Sequence, residues 1–546
     1  MPGQYWQAAG SWFASWRKST LSPLSYPMFR ALWLAAIASN FGTIIQMVGA
    51  SWVMTTMTSS PVMVASIQTA ATLPIMLLAL PAGALADTAD RRIMMLLSQI
   101  IGLISALILA ILAFAGLLSP VVLLVLTGFI ASSIALHQPS WQATFADLVP
   151  RKDLPAAIGI NSLAFNIARS FGPALGGFVL AIAGGATAFA LNAVSFLGLI
   201  FVLLATRLPP RDQTLPAEKL GSAMRAGLRY VAMSPTLAST LFRGGLFSLG
   251  GSSIWALTPL IARDQLTGGP LTYGMLLGSF GLGSLVSGLG VSFARERLGS
   301  EKVVLFSSFA FAVGTVIIAF SHLLALSMLA MAICGASWIF SLATISTCVQ
   351  LHSPRWVVGR AVSISQVAMI GGIAGGAFVW GQIATSAGLT MTFLGSAGFL
   401  FASLTARWFA PLPGTDETDL TPQEPIDIAP PRVHLETHTG PVIIEVEYQV
   451  AKELGPEFVS VMRELSRLRR RDGALGWSLQ QNLDNPERWV ERIVSATWLD
   501  HVRRANRSTK ADADLKKRAA QFHAPEGTRI RRMVERPAGS MPIEWD

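Results

Sequence analysis

The chain has 546 residues, 52% of them hydrophobic and 13% charged, with a mean hydropathy of +0.52, a balance outside the range of ordinary soluble domains. Its net charge of +10 is unevenly spread: residues 1–415 hold 21 Lys and Arg against 9 Asp and Glu, whereas residues 416–546 hold 20 against 22. The excess of cations belongs to the apolar part and reads as membrane topology, not nucleic-acid binding, and the two cysteines, Cys334 and Cys348, offer neither a disulfide framework nor a metal spacing.

Residues 1–29 place Trp6, Trp12, Phe13 and Trp16 beside Arg17 and Lys18. This composition suits a short interfacial helix on the cytoplasmic leaflet, or a frayed basic tail. No small-residue cleavage site follows an apolar core, so a cleaved leader is not expected.

Twelve apolar segments follow, at 32–57, 61–85, 93–116, 119–146, 155–182, 186–206, 236–262, 271–294, 303–321, 324–350, 358–385 and 388–409. Each approaches the roughly 20 residues a membrane helix needs. The loops alternate in charge. Asp87–Arg92, Asp147–Asp153, Arg207–Arg229, Arg295–Lys302 and Arg355–Arg360 carry nearly all the Lys and Arg, and Arg263 is the exception among the other loops. Basic loops stay in the cytoplasm, so both termini are expected there, in a multi-pass inner-membrane protein.

The segments repeat at a period of about 200 residues: Gly159, Ala168, Gly172 and Gly176 correspond to Gly359, Ala368, Gly372 and Gly376. Two six-helix halves are expected, residues 30–206 and 236–410, joined by a cytoplasmic connecting segment, 207–235, with a surface helix around Glu218–Met233.

The fifth segment carries Asn161, Asn166 and Arg169 in an otherwise apolar run. A guanidinium at mid-span costs about 2.5–3.5 kcal/mol on insertion scales, so it should face a wet cavity or a partner. Arg243, Asn40, Gln46 and Gln366 are the other intramembrane polar groups assigned to substrate binding; capping, snorkelling or interhelical bonding are their bland alternatives. No Asp or Glu lies deep in a span, which leaves His137 and the rim residue Asp264 as candidates for proton coupling. Cations without opposing carboxylates favour an anionic solute.

The loop after the second segment, Gly83-Ala84-Leu85-Ala86-Asp87-Thr88-Ala89-Asp90-Arg91-Arg92, resembles the signature loop of the major facilitator superfamily. Asp90 replaces the usual glycine. The resemblance implies that Gly83, Asp87, Arg91 and Arg92 latch the two halves at the inner face. Gly159, Gly172, Pro173, Gly176 and Gly177 resemble the helix-packing motif of that superfamily's antiporter and efflux branch. With Asn166-x-x-Arg169 and Pro139-x-Trp141-Gln142, the pattern is similar to the enterobactin-exporter-like, or transmembrane secretion effector, subfamily. That resemblance implies a secondary active transporter exporting a small, siderophore-like or secondary-metabolite anion by alternating access, with proton coupling left open. The alternatives are multidrug efflux of bulky apolar compounds, or a membrane-tethered enzyme acting through its tail.

Residues 411–432 read as a flexible linker, 433–537 as a small domain and 538–546 as a tail. Strands are expected at Val442–Tyr448, Leu475–Leu483, Trp489–Thr497 and Arg529–Glu535, with helices at Pro456–Arg471 and Leu499–Phe522. That order is ferredoxin-like. Through Trp498 and His501 the domain resembles antibiotic-biosynthesis-monooxygenase-type modules, which more often dimerise or sense than catalyse. The whole is therefore expected to be an all-α membrane protein of twelve transmembrane helices in two six-helix pseudo-repeats, plus a small α+β ferredoxin-like cytoplasmic domain. No cofactor, metal or nucleic acid is expected; the partners are a small-molecule substrate, the lipid bilayer and a second copy through the tail domain.

Overall fold

A computed structural model gives the fold. It describes residues 21–536 except 89, 146–147, 151, 207–219, 355, 415–432, 434, 436–438 and 523–528. The aromatic N-terminal stretch and the linker lie outside the described residues. The chain divides into two compact units: one of Met1–Glu218, Thr240–Ser346 and Ser365–Gly414, the other of Lys219–Ser239, Thr347–Ile364 and Thr415–Asp546.

The first unit is helical. Its elements are α1 (Pro27–Met57), α2 (Pro61–Thr88), α3 (Arg91–Phe114), α4 (Pro120–Phe145), α5 (Leu154–Ala205), then, after the connecting helix α6 (Leu220–Met233), α7 (Pro235–Leu260), α8 (Pro270–Leu298), α9 (Ser300–Phe320), α10 (Leu324–Leu351) and α11 (Val358–Ser403). Among the described residues, ten helices are long and apolar enough to cross a membrane. Two are far too long for one crossing: α5 has 52 residues, about 78 Å at 1.5 Å per residue against a hydrocarbon core of about 30 Å. Each is two helices merged across a kink, at Gly184 (φ 77°) in α5 and Gly388 (φ 81°) in α11. That left-handed geometry suits glycine.

The repeated glycines are where backbones meet. A Cβ on Gly172 would lie 2.8 Å from Ile44 Cγ2, and one on Gly176 would lie 3.3 Å from Ile45 Cα, so α5 seats on α1. A Cβ on Gly372 would lie 2.7 Å from the Gly245 carbonyl, so α11 seats on α7 in the same way. Gly177 turns to α8: its Cβ would meet Gly274 Cα at 2.6 Å and the Pro270 carbonyl at 2.8 Å. Gly159 differs, having nothing within 4 Å. Small residues allow this approach, and in lipid the gain comes from packing.

Contacts between residues 30–206 and 236–410 gather towards the ends that carry the short uncharged turns. Trp52 stacks on Tyr273 with centroids 6.1 Å apart. The Arg263 guanidinium donates to the Thr55 carbonyl, Thr69 Oγ1 to the Ala374 carbonyl at 3.1 Å, and Ser170 Oγ to the Gly281 carbonyl at 3.0 Å. On α5 these contacts run from Ser170 to Gly177, while Gly159, a turn and a half from the charged-loop end, stands in open space.

The second unit contains a four-stranded antiparallel sheet of β1 (Val442–Gln449), β2 (Gly476–Gln481), β3 (Arg488–Ser495) and β4 (Ile530–Val534), in the order β2-β3-β1-β4. Helices α12 (Gly455–Asp472), α13 (Trp498–Ala505) and α14 (Lys510–Ala520) accompany it. The single basic helix expected over 499–522 is in fact two. The first run ends at Ala505 with Asn506 as its C-cap, and Thr509 caps the second, accepting from Asp512 N in a capping box. Phe458, Val461, Met462 and Leu465 of α12 bury against Val446, Tyr448 and Ile493 of the sheet. Beneath them Glu491 is fully buried, accepting from Arg469 Nε (3.0 Å), Tyr448 Oη (3.0 Å) and Trp477 Nε1 (2.9 Å). Tyr230 of α6 and Trp356 belong to the same unit: their rings meet edge-on at 5.3 Å, with Arg471 over Tyr230 at 5.0 Å and Arg507 over Trp356 at 4.3 Å.

His501 is buried and its Nδ1 accepts from Arg504 at 3.2 Å. Burial first, then the neighbouring guanidiniums of Arg504, Arg532 and Arg469, push its pKa down from 6.5 to about 4. Between those two values the unfolded chain holds a proton that the folded one rejects, so this histidine lowers stability progressively as pH falls from 6.5 towards 4. Melting the wild type and His501→Gln across that window should show a shallower acid loss in the variant. A second comparison tests the α5–α8 contact: Gly177→Leu should lower the melting temperature of the detergent-solubilised protein by several degrees, and Gly159→Leu should leave it nearly unchanged.

Candidate functional site

Arg169 lies on α5 one residue before Ser170, where the contact with α8 begins. Its guanidinium carbon stands 5.8 Å from the ring centroid of Trp255 on α7. No carboxylate forms an ion pair with it among the described residues. A cation over an indole face gains about 0.5–2 kcal/mol, the upper end when water is excluded. Trp255 is itself packed against Phe280 of α8 (4.7 Å) and Trp338 of α10 (6.0 Å). Among the described residues, the indole nitrogens of Trp255 and Trp338 are buried without a hydrogen-bond partner. Arg169 and Trp255 thus set a cation beside an indole, with Phe280 and Trp338 of the core packed behind the indole. Such a group suits an acceptor-rich or anionic solute with an aromatic or apolar body. On α5, one turn before Arg169, Asn166 is exposed; Asn161 is half-buried.

The remaining residues assigned to the solute distribute differently. Gln46 is buried and its Oε1 accepts from Asn192 Nδ2, so it fastens α1 to the second arm of α5. Arg243 is removed from the solute site: only 4% exposed, it pairs with Glu301 at 3.1 Å and reaches the Ala410 carbonyl at 3.4 Å. Glu301 also accepts from Leu412 N at 2.7 Å. The expectation that both arginines lack opposing carboxylates thus fails for Arg243, because its partner sits at the first turn of α9 and not inside a span. Asn40 is half-buried on α1 and Gln366 is exposed on α11.

The two proton-coupling candidates are also engaged. His137 Nδ1 lies 3.1 Å from Gln99 Nε2, and its ring stacks on Trp141 at 5.9 Å. Asp264 takes both guanidinium arms of its neighbour Arg263, the NH2 contact at 2.9 Å, and Arg263 in turn donates to the Thr55 carbonyl.

In the signature loop, Asp90 shows why glycine is dispensable. It sits at φ −65°, ψ 117°, and its side chain accepts from Arg92 N and Ile93 N, capping α3. Arg92 then donates to the carbonyls of Leu203 (2.9 Å) and Leu204 (3.0 Å) at the end of α5, a favourable place for a cation at a helix C-terminus. Gly83 is half-buried in α2, Asp87 lies in the last turn of α2, and Arg91 opens α3.

Residues that sequence inspection passed over are Trp255, Phe280 and Trp338. Aromatic residues are frequent in these spans, and nothing in their spacing separates Trp255, which meets Arg169, and the two rings packed against it from the others that fill the core. Glu301 was overlooked because it lies in a charged loop.

Helices of this length, kinked in pairs and packed in two repeated sets, define a membrane carrier of the major facilitator fold. The chain superposes on a bacterial homologue of the human lysosomal transporter Spinster in an inward-facing, unoccupied conformation, with a TM-score of 0.55, 17% identity, and coverage of 70% of this chain and 96% of that one. It superposes on the nucleoside transporter NupG with a TM-score of 0.60 at 12% identity, covering 70% and 99%. The match to the transmembrane secretion effector family runs from residue 18 to residue 538, and the chain belongs to that family. It is a transporter and not an enzyme. Similar proteins include the staphyloferrin A transporter of Staphylococcus aureus (22% identical, 52% of this chain, 71% of the relative). Others are the multidrug efflux pump Tap of Mycolicibacterium fortuitum (25%, 66% and 90%) and the enterobactin exporter EntS of Shigella dysenteriae (27%, 58% and 74%).

Glu301→Gln, which leaves the Arg243 guanidinium buried without its counter-charge, should destabilise the protein by about 3 kcal/mol. Asp90→Ala, which removes only a cap, should cost about 1 kcal/mol. Thermal melts in one detergent should rank them in that order.

Proposed function

We propose that this protein exports a small anionic metabolite, of the siderophore or acidic secondary-metabolite class, by alternating access between two six-span halves. Twelve spans follow if each arm of α5 and α11 crosses once, with Gly184 and Gly388 at the turns. The basic loops then lie in the cytoplasm with both termini. In that orientation the contacts between the halves from Ser170 to Gly177 lie towards the outside, and we read Arg169 as the end of a solute path that opens inward.

The observation that carries the reading is Arg169 over Trp255 with no ion-paired carboxylate among the described residues. An anion satisfies that cation in one access state and leaves when the halves rock. Two of the similar proteins are named for siderophores, staphyloferrin A and enterobactin, which supports the solute class. A cytoplasm-negative potential drives anions outward by about 2.3 kcal/mol per charge per 100 mV, so the membrane potential alone can power the cycle. Proton coupling rests on His137, held by Gln99.

A second reading, efflux of bulky apolar compounds, draws on the Trp255, Phe280 and Trp338 surfaces and on the relatives named as multidrug and macrolide efflux proteins. The sheet order β2-β3-β1-β4 supports a ferredoxin-like tail domain, and the exposed residues of edge strand β4 are a surface through which two copies could pair.

Uptake into inverted vesicles tests the main reading. Acidic siderophore-like solutes should accumulate under an imposed potential, and Arg169→Gln should lower the rate at least tenfold with insertion unchanged. Transport of a cationic dye in preference to any acidic solute, at equal rates in the variant, would overturn it.

A further inference from the structure

Cations gather beside the tail sheet. Arg469 on α12 lies close enough to lower the pKa of Arg504 and His501 on α13 and of Lys516 on α14, and Arg504 acts likewise on His501 and Lys516. The carboxylates facing them are Glu491, Asp472 and Asp512, and each is committed. Glu491 holds Arg469. Asp512 takes both arms of the Arg471 NH2 contact at 2.9 Å and caps α14, while Asp472 pairs with Arg471 Nε at 3.0 Å.

Arg504 receives nothing comparable. It is 7% exposed, its NH2 group meets only His501 Nδ1, and its Nε is buried with no hydrogen-bond partner among the described residues. Lys516, half-buried, donates to Ser508 Oγ at 2.7 Å and forms no ion pair among the described residues. Burial and the surrounding guanidiniums hold both below their ordinary values, Lys516 at about 8 and Arg504 at about 10. A folded domain seldom buries a guanidinium without a counter-charge, since removing either side of such a pair is strongly destabilising.

We infer that Arg504 and Lys516 form a binding site for a small oxyanion, a carboxylate- or phosphate-bearing cytoplasmic metabolite. Nδ1 of His501 accepts from Arg504 and so orients the guanidinium. Arg504 supplies a planar fork and Lys516 a point charge. The site is separate from Arg169, and no argument for it depends on the identity of the transported solute. It gives the tail a ligand to sense in place of a reaction to perform.

The test uses the full-length protein in detergent, titrated at constant ionic strength with inorganic phosphate or with citrate against a chloride control. The readouts are isothermal calorimetry and the melting temperature. Saturable binding of one anion per chain is expected for at least one probe; a preference for citrate assigns the site to carboxylates and a preference for phosphate to phosphoryl groups. Arg504→Gln should weaken it at least tenfold and Lys516→Gln severalfold. Arg518→Gln, at an exposed pair with Glu464, should leave it unchanged. In chloride, Arg504→Gln should melt no lower than wild type, because the buried group it removes forms no ion pair among the described residues. Arg169→Gln should retain the effect, which separates failure of this site from failure of the transport reading. No saturable binding of either probe, equal binding by Arg504→Gln, or stabilisation that rises with protein concentration, as when a second copy supplies the counter-charge, would overturn the proposal.

Discussion

A guanidinium among membrane helices needs something to balance it, and in this chain Arg169 has the face of Trp255. That interaction is worth at most about 2 kcal/mol, less than the cost of holding an ionised group at mid-span. The remainder has to come from water or from an anion in the cavity. The position of Arg169 answers this need. It adjoins Ser170, the first residue of the α5–α8 contact, and in the proposed function that is where the solute path ends.

The glycines explain how such an arrangement can move. Gly177 and Gly274 bring two backbones together with no side chain between them. Gly176 meets the α1 backbone at Ile45, while Gly172 receives the Ile44 side chain; Gly372 and Gly376 meet the α7 backbone at Gly245 and Leu249. Contacts made of backbone and hydrogens can slide or part with little repacking of side chains, whereas interlocked Leu or Phe would resist. The repeat therefore has a mechanical meaning: equivalent joints in each half, with α5 also bearing on the other half. The Arg243–Glu301 pair and the Asp90–Arg92 cap stand away from these joints and fix the loops that the joints carry.

Much of this was readable from the chain. Helix ends match the apolar segments to within a few residues for most spans, because a helix in lipid must be apolar over a fixed length. The fifth and sixth segments, and the last two, instead run together across kinks at Gly184 and Gly388, which leaves ten candidate spans among the described residues. The glycine period exposed the repeat; Gly172, Gly176, Gly372 and Gly376 lie at close approaches, while Gly159 and Gly359 have nothing within 4 Å. Arg169 stood out for its cost. Partners were harder. Nothing local distinguishes Arg169 from Arg243, yet one meets an indole and the other a carboxylate 58 positions away along the chain. Gln46 and Asn192 are likewise joined by folding alone. The tail helix read as continuous from 499 to 522 breaks at Thr509, because the capping box outweighs the helical period there. Aromatic residues serve core, lipid and cavity alike, so Trp255 carried no mark.

The central claim is that the position of Arg169 opens to water on the side of the basic loops. Both native cysteines are buried, so Arg169→Cys can be probed with a membrane-impermeant maleimide in vesicles of either orientation. The account predicts labelling from the basic-loop side, and protection there when an acidic solute is bound. Labelling from the opposite side alone, or none until the protein is denatured, would contradict it.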